Sequence, residues 1–466
     1  MRHASALLAL TALTAAPALA QSLTAEQASK VDQLVTKTLA DTGVPAAEIA
    51  IVRDGKLVLS KAYGKANEGL PARPDQPYQI ASNSKQFTAM ALLLLEDEGK
   101  LSLDDHVSKY IPGITEGDRI TLRQLLSHTS GVQDFWPQDY SFIDMETPAT
   151  PQRIIDKWAK KPLDFEPGAR WQYSNTGYVV AGLIAEKVSG EPLLSYLNRK
   201  IFKPLGMTSV KDLDDTYAPG FPAGYHRFAL GPVRVAPAAG RGWLYAAGEL
   251  SMTAEDLAKW DIARMNRSLI PASDWVEQET PVLRNDGRTT GYGLGVINHY
   301  DGERHVIDHG GEAVGFLTQN SVYPDTRDAI IVFTNADYSG AIGTLTEGLR
   351  KIVLDSAEPA LSGEGDRLED VRATYAALVG GNIDRSKFTD NLNYYFNATT
   401  LGDYRSSLAP LGAPTSIEMR RVPRLRGGFV NRNYTIHYAN HPDLTLVTYA
   451  EGGANGRWEQ FMIMPE

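Results

Sequence analysis

The stretch Ile80–Gly99, IASNSKQFTAMALLLLEDEG, decides how this chain is read. Its second half is an unbroken apolar run, Ala89 to Leu95, closed by Gly99, where such a helix stops. Its first half sets Ser82 and Lys85 at the helix start, one turn apart on the same face. The N-terminal end of a helix carries partial positive charge. That field, together with burial, drives a lysine toward its neutral form. A neutral amine within reach can take the proton of a serine hydroxyl, which is otherwise a weak nucleophile. Read alone, the pair is equally a helix-capping serine beside a solvated lysine.

On the N-terminal side, Thr24–Thr42 has helical spacing and opens on a Thr24-x-x-Gln27 capping box. Glu48–Arg53 and Lys56–Tyr63 are apolar runs split by Asp54-Gly55, a hairpin signal. Downstream, the pattern predicts helices over Ile120–Leu126, Pro151–Lys160, Thr176–Gly190, Leu193–Phe202 and Thr253–Arg267. It predicts strands over Gly293–His299, His305–Ile307, Phe316–Pro324 and Ala329–Asn335, and a last helix over Leu345–Leu354. Strands at both ends of this stretch belong in one antiparallel sheet with helices packed on it.

Composition excludes several classes. The chain has 466 residues, 43% hydrophobic and 22% charged, so it is globular and long enough for two domains. A net charge of −10 without a basic block makes a poor nucleic-acid binder. The absence of cysteine removes disulfides, thiol nucleophiles and thiolate zinc sites. No Gly-x-Ser-x-Gly, His-Glu-x-x-His or phosphate-binding loop is present. No cofactor or metal is expected.

In its context, Ser82-Asn83-Ser84-Lys85 resembles the first motif of the penicillin-binding-protein and class C β-lactamase-like serine hydrolases. This family includes D-alanyl-D-alanine carboxypeptidases, D-aminopeptidases and related esterases. Its Tyr-x-Asn is matched by Tyr173-Ser174-Asn175, and its Lys/His-x-Gly by His309-Gly310-Gly311. LRQLLSHTSGV (Leu122–Val132) is similar to a recurrent segment of the family. Tyr-x-Asn also occurs at Tyr196, Tyr395 and Tyr438, so order and spacing carry the weight. The resemblance spans Leu23 to Leu354. It implies an α+β fold, an antiparallel sheet flanked by helices plus an all-helical subdomain.

The resemblance also implies roles. Ser82 is acylated, Lys85 accepts or relays its proton, and Tyr173 is the second proton carrier. Asn175 holds Lys85 and the substrate, and His309, with Lys85, either stabilises a Tyr173 phenolate or shares its proton. The oxyanion hole is the backbone N–H of Ser82 and of Glu312. Gly310, Gly311, Glu312 and Tyr292 contact substrate, with Gly311 permitting close backbone approach. Gly310 offers no hydroxyl to a substrate carboxylate, and Glu312 repels one, favouring a free amine or neutral ester. The implied reaction is amide hydrolysis in D-amino-acid-containing peptides or amides. The alternatives are carboxylester hydrolysis, D-Ala-D-Ala carboxypeptidase or β-lactamase activity, and a non-catalytic penicillin-binding-like sensor.

Residues 1–20 carry Arg2, an apolar core and Ala18-Leu19-Ala20, the pattern of a secretory signal peptide. The expectation is a periplasmic or secreted protein without a membrane span after cleavage. The domain plan is a signal peptide at 1–20, the hydrolase domain at 21–355 and a linker at 356–366. A small α+β domain follows at 367–466, whose helices-then-strands order looks cystatin/NTF2-like. In it, helices over Arg367–Leu378 and Leu401–Leu408 precede a meander of Ser416–Arg424, Gly428–Tyr438, Leu444–Tyr449 and Trp458–Met464. Tyr394, Tyr395, Phe396, Trp458 and Phe461 are expected to form its core.

Overall fold

A computed structural model describes residues 22–138, 140–228, 231–302, 304–354, 365–420, 423–426 and 428–465. The signal-peptide stretch 1–20 and most of the expected linker, 356–364, lie outside the described residues. The chain divides into two units, Met1–Arg350 and Lys351–Glu466.

The first unit is built on a seven-stranded antiparallel sheet. Its strands are β1 (Ala46–Arg53), β2 (Lys56–Asn67), β3 (Leu70–Pro71), β4 (Ile297–Asp301), β5 (Arg304–Ala313), β6 (Phe316–Tyr323) and β7 (Asp328–Thr334). Their order is β3-β2-β1-β7-β6-β5-β4, so the N-terminal hairpin pairs with the last strand of the C-terminal meander. Asp54 and Gly55 turn the first hairpin with φ of 47° and 72°, the left-handed pair that suits a tight two-residue turn. β1 is buried from Ala46 to Val52 because both sheet faces are covered. Ala50 and Val52 join the main core with helix residues such as Leu257 and Ala258. Glu48 lies among them, accepting the Ala254 N–H at 2.8 Å. Burial holds its carboxyl well above the usual range.

The helices are α1 (Ala25–Thr42), α2 (Lys85–Asp97), α3 (Asn175–Ser189), α4 (Ala254–Asn266) and α5 (Ala341–Val353), with shorter ones between. α1 starts on the Thr24/Gln27 capping box read from sequence. α4 packs on β1, β2 and β7, and α1 on β1 and β2. α2 is buried nearly all round and packs on α3. It is the axis of a mostly helical subdomain inserted between β3 and β4.

Some elements differ from the sequence reading. Pro151–Lys160 and Leu193–Phe202 begin as α-helix but widen into π turns at Ile155–Ala159 and Asn198–Phe202. The strand expected from Gly293 begins at Ile297, because Leu294 bonds instead to the Gln278 carbonyl at 2.8 Å. A helix at Ala272–Glu279 was not anticipated.

The second unit holds α6 (Leu368–Gly380), α7 (Asp390–Tyr395) and α8 (Ala398–Leu408) beside a five-stranded antiparallel sheet. The expected first strand splits into β8 (Ser416–Met419) and β9 (Arg424–Arg426), both paired with β10 (Phe429–His437). β11 (Leu444–Ala450) and β12 (Trp458–Pro465) complete the sheet. Phe396, Trp458 and Phe461 are core residues, with Tyr434, Ile436 and Leu446. Tyr394 and Tyr395 are not. They stay exposed because α7, at six residues, is too short to bury more than one side.

Candidate active site

The nucleophile position is a strained turn. Ala81–Ser84 forms one 3-10 turn leading into α2, and Ala81 sits at φ 47°, unusual for a residue with a Cβ. The turn is pinned from three sides. The Leu250 N–H donates to Ser84 Oγ at 3.1 Å, Asn83 Nδ2 donates to Thr318 Oγ1 at 2.9 Å, and the Ile80 N–H donates to the Leu250 carbonyl at 3.0 Å. Ser82 is thereby presented half-exposed at the floor of a cleft while its neighbours are buried.

Lys85 is fully buried beneath it. Its Nζ lies 2.8 Å from Asn175 Oδ1, 2.7 Å from the Ala247 carbonyl and 3.0 Å from Ser82 Oγ. The first two are acceptors only, so they use two N–H groups. In the neutral amine the remaining lone pair has only the Ser82 hydroxyl to face. Burial lowers the Lys85 pKa to about 7, against the opposing pull of nearby Asp134. Tyr173 lies half-buried against Ser82, and desolvation lifts its phenol far above the ordinary value. It is a proton donor at neutral pH, not a phenolate.

Asn175 opens α3, with Ser174 as its cap. Asp134 fixes it by accepting from the Asn175 backbone N–H at 3.0 Å and from Nδ2 at 3.3 Å. Those two bonds leave Asn175 Oδ1 turned to Lys85.

His309 lies on β5, whose residues 309–313 pair with β6 on one side and run past the Ala81–Ser84 turn on the other. Its Nδ1 is 2.5 Å from the Gly310 carbonyl, and its Nε2 is 2.9 Å from Tyr292 Oη. A carbonyl only accepts, so Nδ1 carries the proton and Nε2 accepts from the tyrosine. Burial and the neighbouring Lys85 push the imidazole down to about 4. His309 is therefore neutral and does not supply the cation expected beside Tyr173. Tyr292, expected on the substrate, is buried behind His309 and supports it. Gly311 is required by packing rather than by substrate. A Cβ there would meet the Ile80 carbonyl at 2.2 Å and Thr318 Oγ1 at 2.3 Å. Gly310 is half-buried, with Gln319 as its nearest side-chain neighbour.

Above this floor opens a cleft of about 760 Å³ lined by Ser82, Tyr173, Asn175 and Glu312 among others. The exposed Glu312 lies on its β5 side, and Asp337 and Arg227 also line it. Trp136, Tyr140 and Phe228 stand on its walls, the last two widely exposed. Phe135 also reaches the cleft, whereas Trp243 is buried against it. Among the described residues, no three His, Asp or Glu side chains are placed to share a metal ion.

Asp134 and the Ala247 carbonyl were not anticipated. Asp134 lies two residues beyond the LSHTSGV segment, so position is an available signal. A backbone carbonyl has no side-chain signature at all.

The Beta-lactamase family model matches residues 31–354. Penicillin-binding protein 4* of Bacillus subtilis (strain 168) is 29% identical over 293 residues, which is 60% of this chain. The chain spans 65% of that relative's length, just under two thirds. A D-stereospecific amidohydrolase from Streptomyces sp. is 29% identical in a superposition covering 68% of this chain and 97% of that one, with a TM-score of 0.59. The penicillin-binding protein homologue from Pyrococcus abyssi, described as octameric, is 21% identical with a TM-score of 0.60. It covers 94% of this chain and 99% of its own, a likeness of fold that takes in both units. With Ser82, Lys85 and Tyr173 gathered at one cleft, the chain belongs to the Beta-lactamase family, and residues 31–354 are its serine-hydrolase domain.

Proposed function

We propose that this protein hydrolyses amide bonds next to a D-amino acid bearing a free amine, through an acyl-enzyme on Ser82. The observation that carries this reading is the lining of the cleft beside Ser82, where three carboxylates, Asp134, Glu312 and Asp337, outnumber one guanidinium, Arg227. It attracts an ammonium and repels a substrate carboxylate. The likeness to a D-stereospecific amidohydrolase supports the same class.

In the reaction, the neutral Lys85 takes the Ser82 proton as Oγ attacks the carbonyl carbon. The backbone N–H groups of Ser82 and Glu312 receive the oxyanion. Tyr173, held as a phenol, donates its proton to the leaving amine and is reprotonated through the Lys85 ammonium. Water then attacks the acyl-enzyme, the neutral Lys85 takes its proton and passes it to Ser82 Oγ, and Ser82 leaves as the hydroxyl.

A second reading, carboxylester hydrolysis, is favoured by the apolar walls of Trp136, Phe135 and Phe228, which suit an uncharged acyl chain. The deciding measurement compares D-alanine and L-alanine p-nitroanilides with p-nitrophenyl butyrate, using Ser82→Ala as the blank. Strong preference for the D-amide is expected. Cleavage of the ester alone would replace the first reading by the second. Activity of Ser82→Ala equal to the parent would overturn both. Export is proposed on residues 1–20. It predicts a mature N-terminus at Gln21, read by mass spectrometry of the exported fraction.

A further inference from the structure

The LSHTSG segment places a histidine inside the site to which the reaction above gives no role. His128 is fully buried and sits at φ 59°, a left-handed conformation strained for a residue with a Cβ. Its ring centre is 4.2 Å from that of Tyr173, 4.8 Å from Tyr292, 5.3 Å from Tyr178 and 6.0 Å from Trp171. Its Nδ1 accepts the Ser174 N–H at 3.1 Å. Ser174 lies between the two residues that touch the reaction, Tyr173 and Asn175, and its own Oγ caps α3 through the Gly177 N–H at 3.2 Å. Since Nδ1 is an acceptor, the proton is on Nε2, and that buried nitrogen has no hydrogen-bond partner.

A buried donor without an acceptor costs roughly 1–3 kcal/mol, and the left-handed backbone adds to it. A residue kept only to fill space would avoid the unpaired donor, since an apolar ring packs as well at the same backbone conformation. We infer that His128 is a positioning residue, whose neutral Nε2–H imidazole clamps the Tyr173-Ser174-Asn175 turn so that the phenol meets Ser82 and the amide meets Lys85. The titratable and charged groups that face it are Tyr173, Tyr178, Tyr292, Lys85 and His309, so a charged imidazole would stand against two nearby nitrogen bases. Lys85 is faced by Ser82, Asn175, Asp134, Tyr173 and Tyr178. Loosening the turn admits water to Lys85 and returns it toward the behaviour of a solvated lysine.

This inference rests on the Ser82 acyl-enzyme reading. Its test uses the full chain and a fluorophosphonate probe, which labels a reactive serine whatever the natural substrate. His128→Phe keeps an aromatic ring and removes the acceptor. His128→Asn keeps an acceptor at the Nδ1 position and tolerates positive φ. The expected result is complete final labelling in both variants. His128→Phe should label roughly tenfold or more slowly than the parent, with the midpoint of its pH–rate profile raised by about one unit. His128→Asn should recover most of the rate.

Labelling of His128→Phe at the parent rate and midpoint would overturn the inference. So would equal slowing of both variants with an unmoved midpoint, since the acceptor would then play no part. A second measurement needs no variant to fold: the nitrogen NMR signals of His128 should show the neutral Nε2–H tautomer from pH 5 to 9, and an imidazolium or Nδ1–H form would overturn the inference. Parent protein whose labelling survives Ser82→Ala would overturn the acyl-enzyme reading itself, a result separable from either outcome at His128.

Discussion

The floor of the cleft and its rim obey different physics. On the floor, Lys85, His309 and His128 are almost fully buried and Tyr173 partly so, and burial is the first cause of every shifted pKa among them. At the rim, Glu312, Tyr140 and Phe228 are exposed. The floor makes a lysine into a base by keeping water away. The rim can only attract or repel what arrives. Chemistry and selectivity are thereby separable in this molecule, and substitutions should show it.

The largest effects belong to the floor. Ser82→Ala and Lys85→Met should each lower kcat/KM by roughly 10⁴-fold or more on every substrate cleaved. Lys85→Met should also be more stable than the parent. The folded-state pKa of Lys85 is about 7, below its value of 10.5 in the unfolded chain. The parent therefore buries an ammonium at a cost that is full below pH 7 and is relieved as pH rises from 7 toward 10.5. The gain, on the order of 1–4 kcal/mol at pH 6, should shrink across that window in thermal melts. A gain over the parent no larger at pH 6 than at pH 10 would break the picture of a dry floor.

Next is the pH profile of the parent. On p-nitrophenyl butyrate, which carries no titrating amine, kcat/KM should rise through pH 7 as Lys85 loses its proton and then stay level, because the Tyr173 phenol does not ionise in the accessible range. His309, at about 4, is neutral throughout. A descending limb near pH 8 would mean that a second group, outside this floor, must remain protonated.

Smaller effects belong to the rim. Glu312→Gln should cost about tenfold in kcat/KM on a D-amino-acid anilide and leave p-nitrophenyl butyrate within about twofold. Equal loss on both would place Glu312 with the floor. Tyr140→Ala and Phe228→Ala should raise KM about two- to fivefold for bulky apolar substrates, with kcat unchanged. A fall in kcat instead would show that the rim closes on the substrate and shares in the chemistry.

Much of the fold was legible because periodicity and turn chemistry agree locally. The Thr24/Gln27 box, the Asp54-Gly55 turn and the Ala89–Leu95 run each act within one element, and each is found as read. The misread places are those where a distant partner decides. Leu294 bonds to Gln278 rather than extending a strand, and Tyr292 meets His309 rather than the substrate. Within the site, the motif residues could be named from their order. Tyr292 was assigned to the substrate because nothing in its own neighbourhood of sequence says that His309 covers it.

The sequence by itself determined the family motifs, their order, and the helix that aligns Ser82 with Lys85, because one helical turn is a local property of four residues. Only the tertiary structure decided what those residues are chemically. Lys85 is a base because Asn175, Ala247 and Tyr173 arrive from remote segments and exclude water, and His309 is neutral because it is buried beside that lysine. A pKa depends on the free energy of a charge in its whole surroundings, and those surroundings exist only once distant parts of the chain have met.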